Sequence, residues 1–140
     1  MQIREALGRE GLFNERVKLE AWEYPSLHVR FRNANGLDRL LHFELSNYDF
    51  QPAAVEAVDP VSRGPLADSQ RVMRDGGEFP DNPLLGGRRF LCIEGTRAYY
   101  MHPGHRPQVT GGRWESLRPG FRLADLIGYI TSKFTSGSWR

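Results

Sequence analysis

The chain has 140 residues, a formal charge of +2 at neutral pH, 39% hydrophobic residues and one cysteine. That length suits a single domain, 1–140, able to bury an ordinary core without cross-links, and one cysteine excludes an internal disulfide. No stretch approaches the roughly 20 apolar residues of a membrane span, no N-terminal apolar run marks a signal peptide, and the scattered arginines form no basic–aromatic stripe, so neither membrane nor nucleic acid is expected and a cytoplasmic setting is.

Residues 2–8 read as a short helix with Ile3 and Leu7 on one face, stopped near Gly8 and Gly11. Alternation then takes over. Val17, Leu19 and Ala21 alternate with Lys18 and Glu20; Leu27, Val29 and Phe31 with His28, Arg30 and Arg32; Leu41, Phe43 and Leu45 with His42 and Glu44. This is the period of half-buried strands, and it predicts a three-stranded antiparallel meander with one wet face. Tyr24-Pro25-Ser26 breaks the first pair of strands, and Asn35-Gly36 is a hairpin-turn signal between the next two. On the wet face His28 and His42 read as solvated side chains.

After Tyr48-Asp49-Phe50-Gln51-Pro52 comes a further short strand candidate, Ala54 to Val58. Asp59 to Gly87 is rich in Gly, Pro and Asp and reads as a long loop, functional or flexible. Arg89 to Met101 returns to strand character about Gly95-Thr96-Arg97, as a hairpin. Leu123, Leu126, Ile127, Ile130 and Phe134 recur at helical spacing after Pro119-Gly120, with Lys133 at the C-terminal end. The expected class is α+β: N-terminal helix, antiparallel β-meander, long loop, β-hairpin and C-terminal helix.

The chemistry concentrates in the predicted hairpin. Cys92 and Glu94 are two apart on a strand, so they leave the same face, and His102 and His105 follow in Met101-His102-Pro103-Gly104-His105. A three-residue turn, Gly95-Thr96-Arg97, would put Cys92, Glu94 and His102 on one face, and His105 could fold back through Pro103-Gly104. A two-residue turn would send His102 to the other face, because a slip of one residue flips every side chain. Thiolate, carboxylate and imidazole together suit zinc. Four bound ligands make a closed structural site; three leave a position for a water nucleophile, with Glu94 as base. The same residues also read as a nucleophilic Cys92 with polar helpers, or as a buried cysteine beside a His-Pro-Gly-His turn.

At these residues the sequence resembles the bacterial CEHH family, a metal-binding domain named for its Cys, Glu, His and His. The resemblance rests on Cys92-x-Glu94 and His102-x-x-His105 and covers the last third of the chain. It implies metal-ligand roles for Cys92, Glu94, His102 and His105. It also implies an operon setting with a ubiquitin-like protein and its activating enzyme as partners. The whole layout, with Tyr48 to Pro52 before the loop and Trp114 before the last helix, is similar to the ubiquitin-conjugating-enzyme fold. The chain departs from that family in having Gly104 where a His-Pro-Asn motif has Asn. That segment also follows Cys92 instead of preceding the nucleophile.

The expected function is a zinc-binding, conjugating-enzyme-like component of a bacterial ubiquitin-like modification pathway. The alternatives are an active thioester carrier with Cys92 catalytic, a hydrolytic zinc enzyme, and a metal-free interaction module. They divide on whether the chain is an enzyme.

Overall fold

The computed structural model describes residues 12–32, 38–48, 50–64, 81–82, 88–89, 95–97, 114 and 117–135. Four strands, β1 (Val17–Glu23), β2 (Ser26–Arg32), β3 (Asp38–Glu44) and β4 (Ala54–Val58), lie side by side in chain order, each antiparallel to the next. The alternation expected of β2 and β3 decides which face is buried. Leu27 opposes Phe43 and Val29 opposes Leu41, and Val55 and Ala57 of β4 continue the same row. All six are buried, since side chains two apart on a strand leave the same face.

A helix, α1 (Leu123–Thr135), packs on that face across β2. Its Leu123, Ala124, Leu126, Ile127 and Ile130 join Leu27, Val29, Phe31, Leu41, Phe43 and Leu45 in one apolar cluster. Full burial of a side chain of this size stabilises by roughly 1.5–3 kcal/mol. The helix starts cleanly because the Asp125 carboxylate accepts a 2.8 Å hydrogen bond from the Arg122 N–H, while the Asp125 N–H donates to the Arg122 carbonyl at 2.9 Å. Reciprocal bonding of this kind satisfies donors that a helix start leaves orphaned, and a carboxylate suits the positive end of the dipole.

Near its middle β1 slips. Leu19 pairs with Val29, but Ala21 pairs with His28, so Glu20 is an extra residue in a bulge. Beyond it Ala21 moves to the outer face, and Trp22 takes the inward position opposite Leu27 and packs against the core. Sequence alternation alone puts Ala21 inward; the bulge reverses it. The outer face is not uniformly wet either. Leu40 and Val58 oppose each other there, and both are buried.

The expected order of elements, and with it the conjugating-enzyme-like layout, is corrected on three points. Among the described residues no helix precedes β1, and the segment 2–8 lies outside them. Ala54–Val58 is a full fourth strand of the meander, where three had been expected to make the sheet. A short hairpin is formed at the end of the expected loop: β5 (Asp81–Asn82) pairs with β6 (Arg88–Arg89), Asp81 opposite Arg89. Of the expected hairpin 89–101, only 89 and 95–97 are among the described residues. At Gly95-Thr96-Arg97 there is no hairpin turn: Thr96 bridges Ala53 in parallel and Arg97 is helical. Gly95 does take positive φ, at 99°, as a turn glycine would. A glycine in that conformation can end one element and start another as readily as it can reverse a strand. What remains of the expectation is the α+β character, a sheet covered by a C-terminal helix.

Candidate functional site

Cys92, Glu94, His102 and His105 lie outside the described residues. Their frame is the pair of anchors on either side of the two histidines. The first anchor begins at Gly95. Thr96 is fully buried beside Ala53, and the Arg97 N–H donates a 2.8 Å hydrogen bond to the Ala53 carbonyl. This fixes the chain just past Cys92 and Glu94 to the start of β4. The three-residue hairpin that would have aligned Cys92, Glu94 and His102 on one face is not formed at these positions.

The Arg97 side chain reaches back to the end of β3. Its Nη1 lies 3.4 Å from Glu44 Oε2, and its Nη2 lies 3.5 Å from the Ser46 carbonyl oxygen. Glu44 is also held by Ser46, whose backbone N–H donates to Oε1 at 3.0 Å and whose hydroxyl donates to the same oxygen. Burial by itself would raise the Glu44 carboxyl. The two Ser46 donors, then the Arg97 guanidinium, outweigh it and hold the group below its ordinary value. The carboxylate is therefore ionised and committed to positioning Arg97.

The second anchor is Trp114, which is buried. Its indole Nε1–H donates to the Phe50 carbonyl at 3.2 Å, in the bend that links β3 to β4. Its ring lies 6.3 Å from that of Tyr48 and meets Phe121 edge-on, at 6.4 Å and 82°. Phe121 in turn fills the space above Gly95, where a Cβ would fall 2.5 Å from its Cε1. The two anchors thus share one aromatic ring. The chain that carries His102 and His105 leaves from and returns to the same end of the sheet. The sequence pointed to Trp114 only as a landmark before the helix; its indole N–H, which seeks a partner when buried, was the signal for an anchor.

The outer face holds a second group, two side chains that the sequence read as solvated. His28 and His42 are directly opposed on β2 and β3, half-buried, with rings stacked at 4.7 Å and 16°. His42 Nε2 is 3.0 Å from Ser26 Oγ. Burial first, then His42, then Arg63 push the His28 imidazole below its ordinary value. The signal was available: each histidine follows an inward leucine, so pairing Val29 with Leu41 brings the two rings together.

Among the described residues no group of three or more His, Cys, Asp or Glu side chains is placed to hold a metal ion, and no helix is long and apolar enough to cross a membrane. Neither family models nor curated proteins give a match to the chain.

Proposed function

We propose that the chain is a zinc-binding component of a bacterial ubiquitin-like modification pathway, with Cys92, Glu94, His102 and His105 as the metal ligands. The donor set supports this reading, because one thiolate, one carboxylate and two imidazoles match the ligand preferences and four-coordination of zinc. The observation that carries it is the shared anchor at Phe121. Both ends of the segment bearing the two histidines are held beside it, one of them directly after Cys92 and Glu94. Closing that segment before the metal arrives lowers the ordering cost of bringing distant ligands together. Bound zinc would supply a fixed cross-link between Cys92-x-Glu94 and His102-x-x-His105. The CEHH resemblance supplies the pathway and its partners, a ubiquitin-like protein and its activating enzyme. A thiolate ligand suits a reducing cytoplasm.

Elemental analysis of the purified chain tests the reading. About one zinc per chain is expected, held against dialysis and lost in Cys92→Ser and His105→Ala. Wild-type protein without zinc, unable to take it up in titration, overturns it. So does a thiol-sensitive adduct on Cys92 formed with activating enzyme, ATP and ubiquitin-like protein, since a ligated thiolate is not available as a carrier.

A further inference from the structure

The stacked pair His28–His42 plays no part in the zinc reading, and its surroundings give it a function of its own. The two imidazoles face each other at 4.7 Å across the middle of the β2–β3 pairing. At that separation two neutral rings attract, whereas two imidazolium ions repel.

The charged groups around the pair come from every strand. On β1, Ala21 stands opposite His28, and the strand's charged side chains are Lys18, Glu20 and Glu23. Arg30 follows on β2, tied to Glu20 and Asp38. Glu44 on β3 is engaged by Ser46 and Arg97. Glu56 of β4 stands opposite His42, and the charge of Arg63, from the turn after β4, acts on His28. One carboxylate therefore faces the pair directly, on the His42 side, and a cation bears on the His28 side.

We propose that the His28–His42 stack is a proton-operated latch on the outer face of the sheet. With both rings neutral, the stack and the Ser26–His42 hydrogen bond close β2 against β3. With both charged, the rings repel and the β2–β3 pairing loosens. The sign follows from the His28 environment. Its imidazole is held below the ordinary value, so the folded chain favours the neutral ring. The stabilisation is complete above about pH 6.5 and is lost as the pH falls below it towards the folded-state value.

Thermal unfolding of the full chain, wild type against His28→Gln and His42→Gln, tests the latch between about pH 7 and about pH 5. The wild-type midpoint is expected to fall more than that of either variant, by an extra 3 to 6 °C or about that. The comparison is of slopes, so a variant that is less stable at every pH does not spoil it, and the histidines at 102 and 105 are present in all three proteins. Imidazole NMR titration gives a second reading: the His28 ring should titrate below its ordinary value in the wild type and move upward in His42→Gln. Equal slopes in the three proteins, or a His28 titration that His42→Gln leaves unmoved, overturn the proposal.

Discussion

Gly95 has no room for a side chain because Phe121 occupies it. A Cβ built on Gly95 would lie 2.5 Å from Cε1 and 2.9 Å from Cζ of that ring, and the residue takes φ of 99°. Two requirements, backbone conformation and space, thus fall on one position, where the chain turns from the Cys92–Glu94 segment to its anchor on β4.

Gly95→Ala is therefore expected to destabilise the chain by at least about 2 kcal/mol, from the strained φ and from overpacking against an aromatic ring. Gly120→Ala serves as the control. Nothing lies within 4 Å of the Cβ it would add, and its φ is outside the left-handed region, so it should be neutral or slightly stabilising. Urea denaturation of the two variants checks the contrast, and equal costs would refute the account of Gly95.

Trp114→Phe keeps an aromatic ring between Tyr48 and Phe121 but removes the hydrogen bond to Phe50. Its expected cost is about 1 kcal/mol. Trp114→Ala also removes the ring and should cost about 3–5 kcal/mol. If the two substitutions cost the same, the ring contacts at 6.3 and 6.4 Å contribute nothing.

Glu44 gives a pH signature opposite in origin to that of the histidines. Its carboxyl is held below the ordinary value, so its contribution is present above that value and is lost as the pH falls through the folded-state one. In Ser46→Ala the Glu44 carboxyl should move upward, and stability at neutral pH should drop by about 1 kcal/mol. The gap to wild type should narrow in acid. Carboxyl NMR titration together with acid unfolding measures both effects.

The core under α1 sets the scale for these effects. Leu126→Ala, at a side chain with no exposed surface, should cost about 2–5 kcal/mol. Val61→Ser, at a side chain 93% exposed, should stay within about 0.5 kcal/mol. Thermal melts of both variants suffice, and a large loss at Val61 would mean that the turn after β4 is packed against something else.

The meander and α1 were legible in the sequence because each buries one face, and burial writes its period into the residues. Pairing between distant segments leaves no such trace. Thr96 carries no mark that it will join Ala53 in parallel, so the stretch around it reads as a hairpin. Asn35-Gly36 misleads in a related way. A two-residue turn there would set His28 opposite Phe43, yet Arg32 pairs with Asp38 and leaves 33–37 between the strands. The alternating pattern demanded that odd spacing, because Val29 and Leu41 must share a face. Patterning therefore outranks turn chemistry in fixing register here. Cys92, Glu94, His102 and His105 were singled out as candidate ligands from donor chemistry alone and lie outside the described residues. Arg97, Trp114 and Phe121, which anchor the chain on either side of the histidines, come only from the fold.

The bulge at Glu20 bears on how the protein behaves in a crowded solution. Among the described residues β1 is the outermost strand on its side of the sheet, a position where exposed backbone groups invite another chain to add on. An incoming strand needs an unbroken run of donors and acceptors at even spacing. The slip between Leu19 and Ala21 interrupts that run, and Lys18, Glu20 and Glu23 place charge along it. The irregularity that turned Trp22 inward to the core thus also makes this border a poor template for fibrous growth.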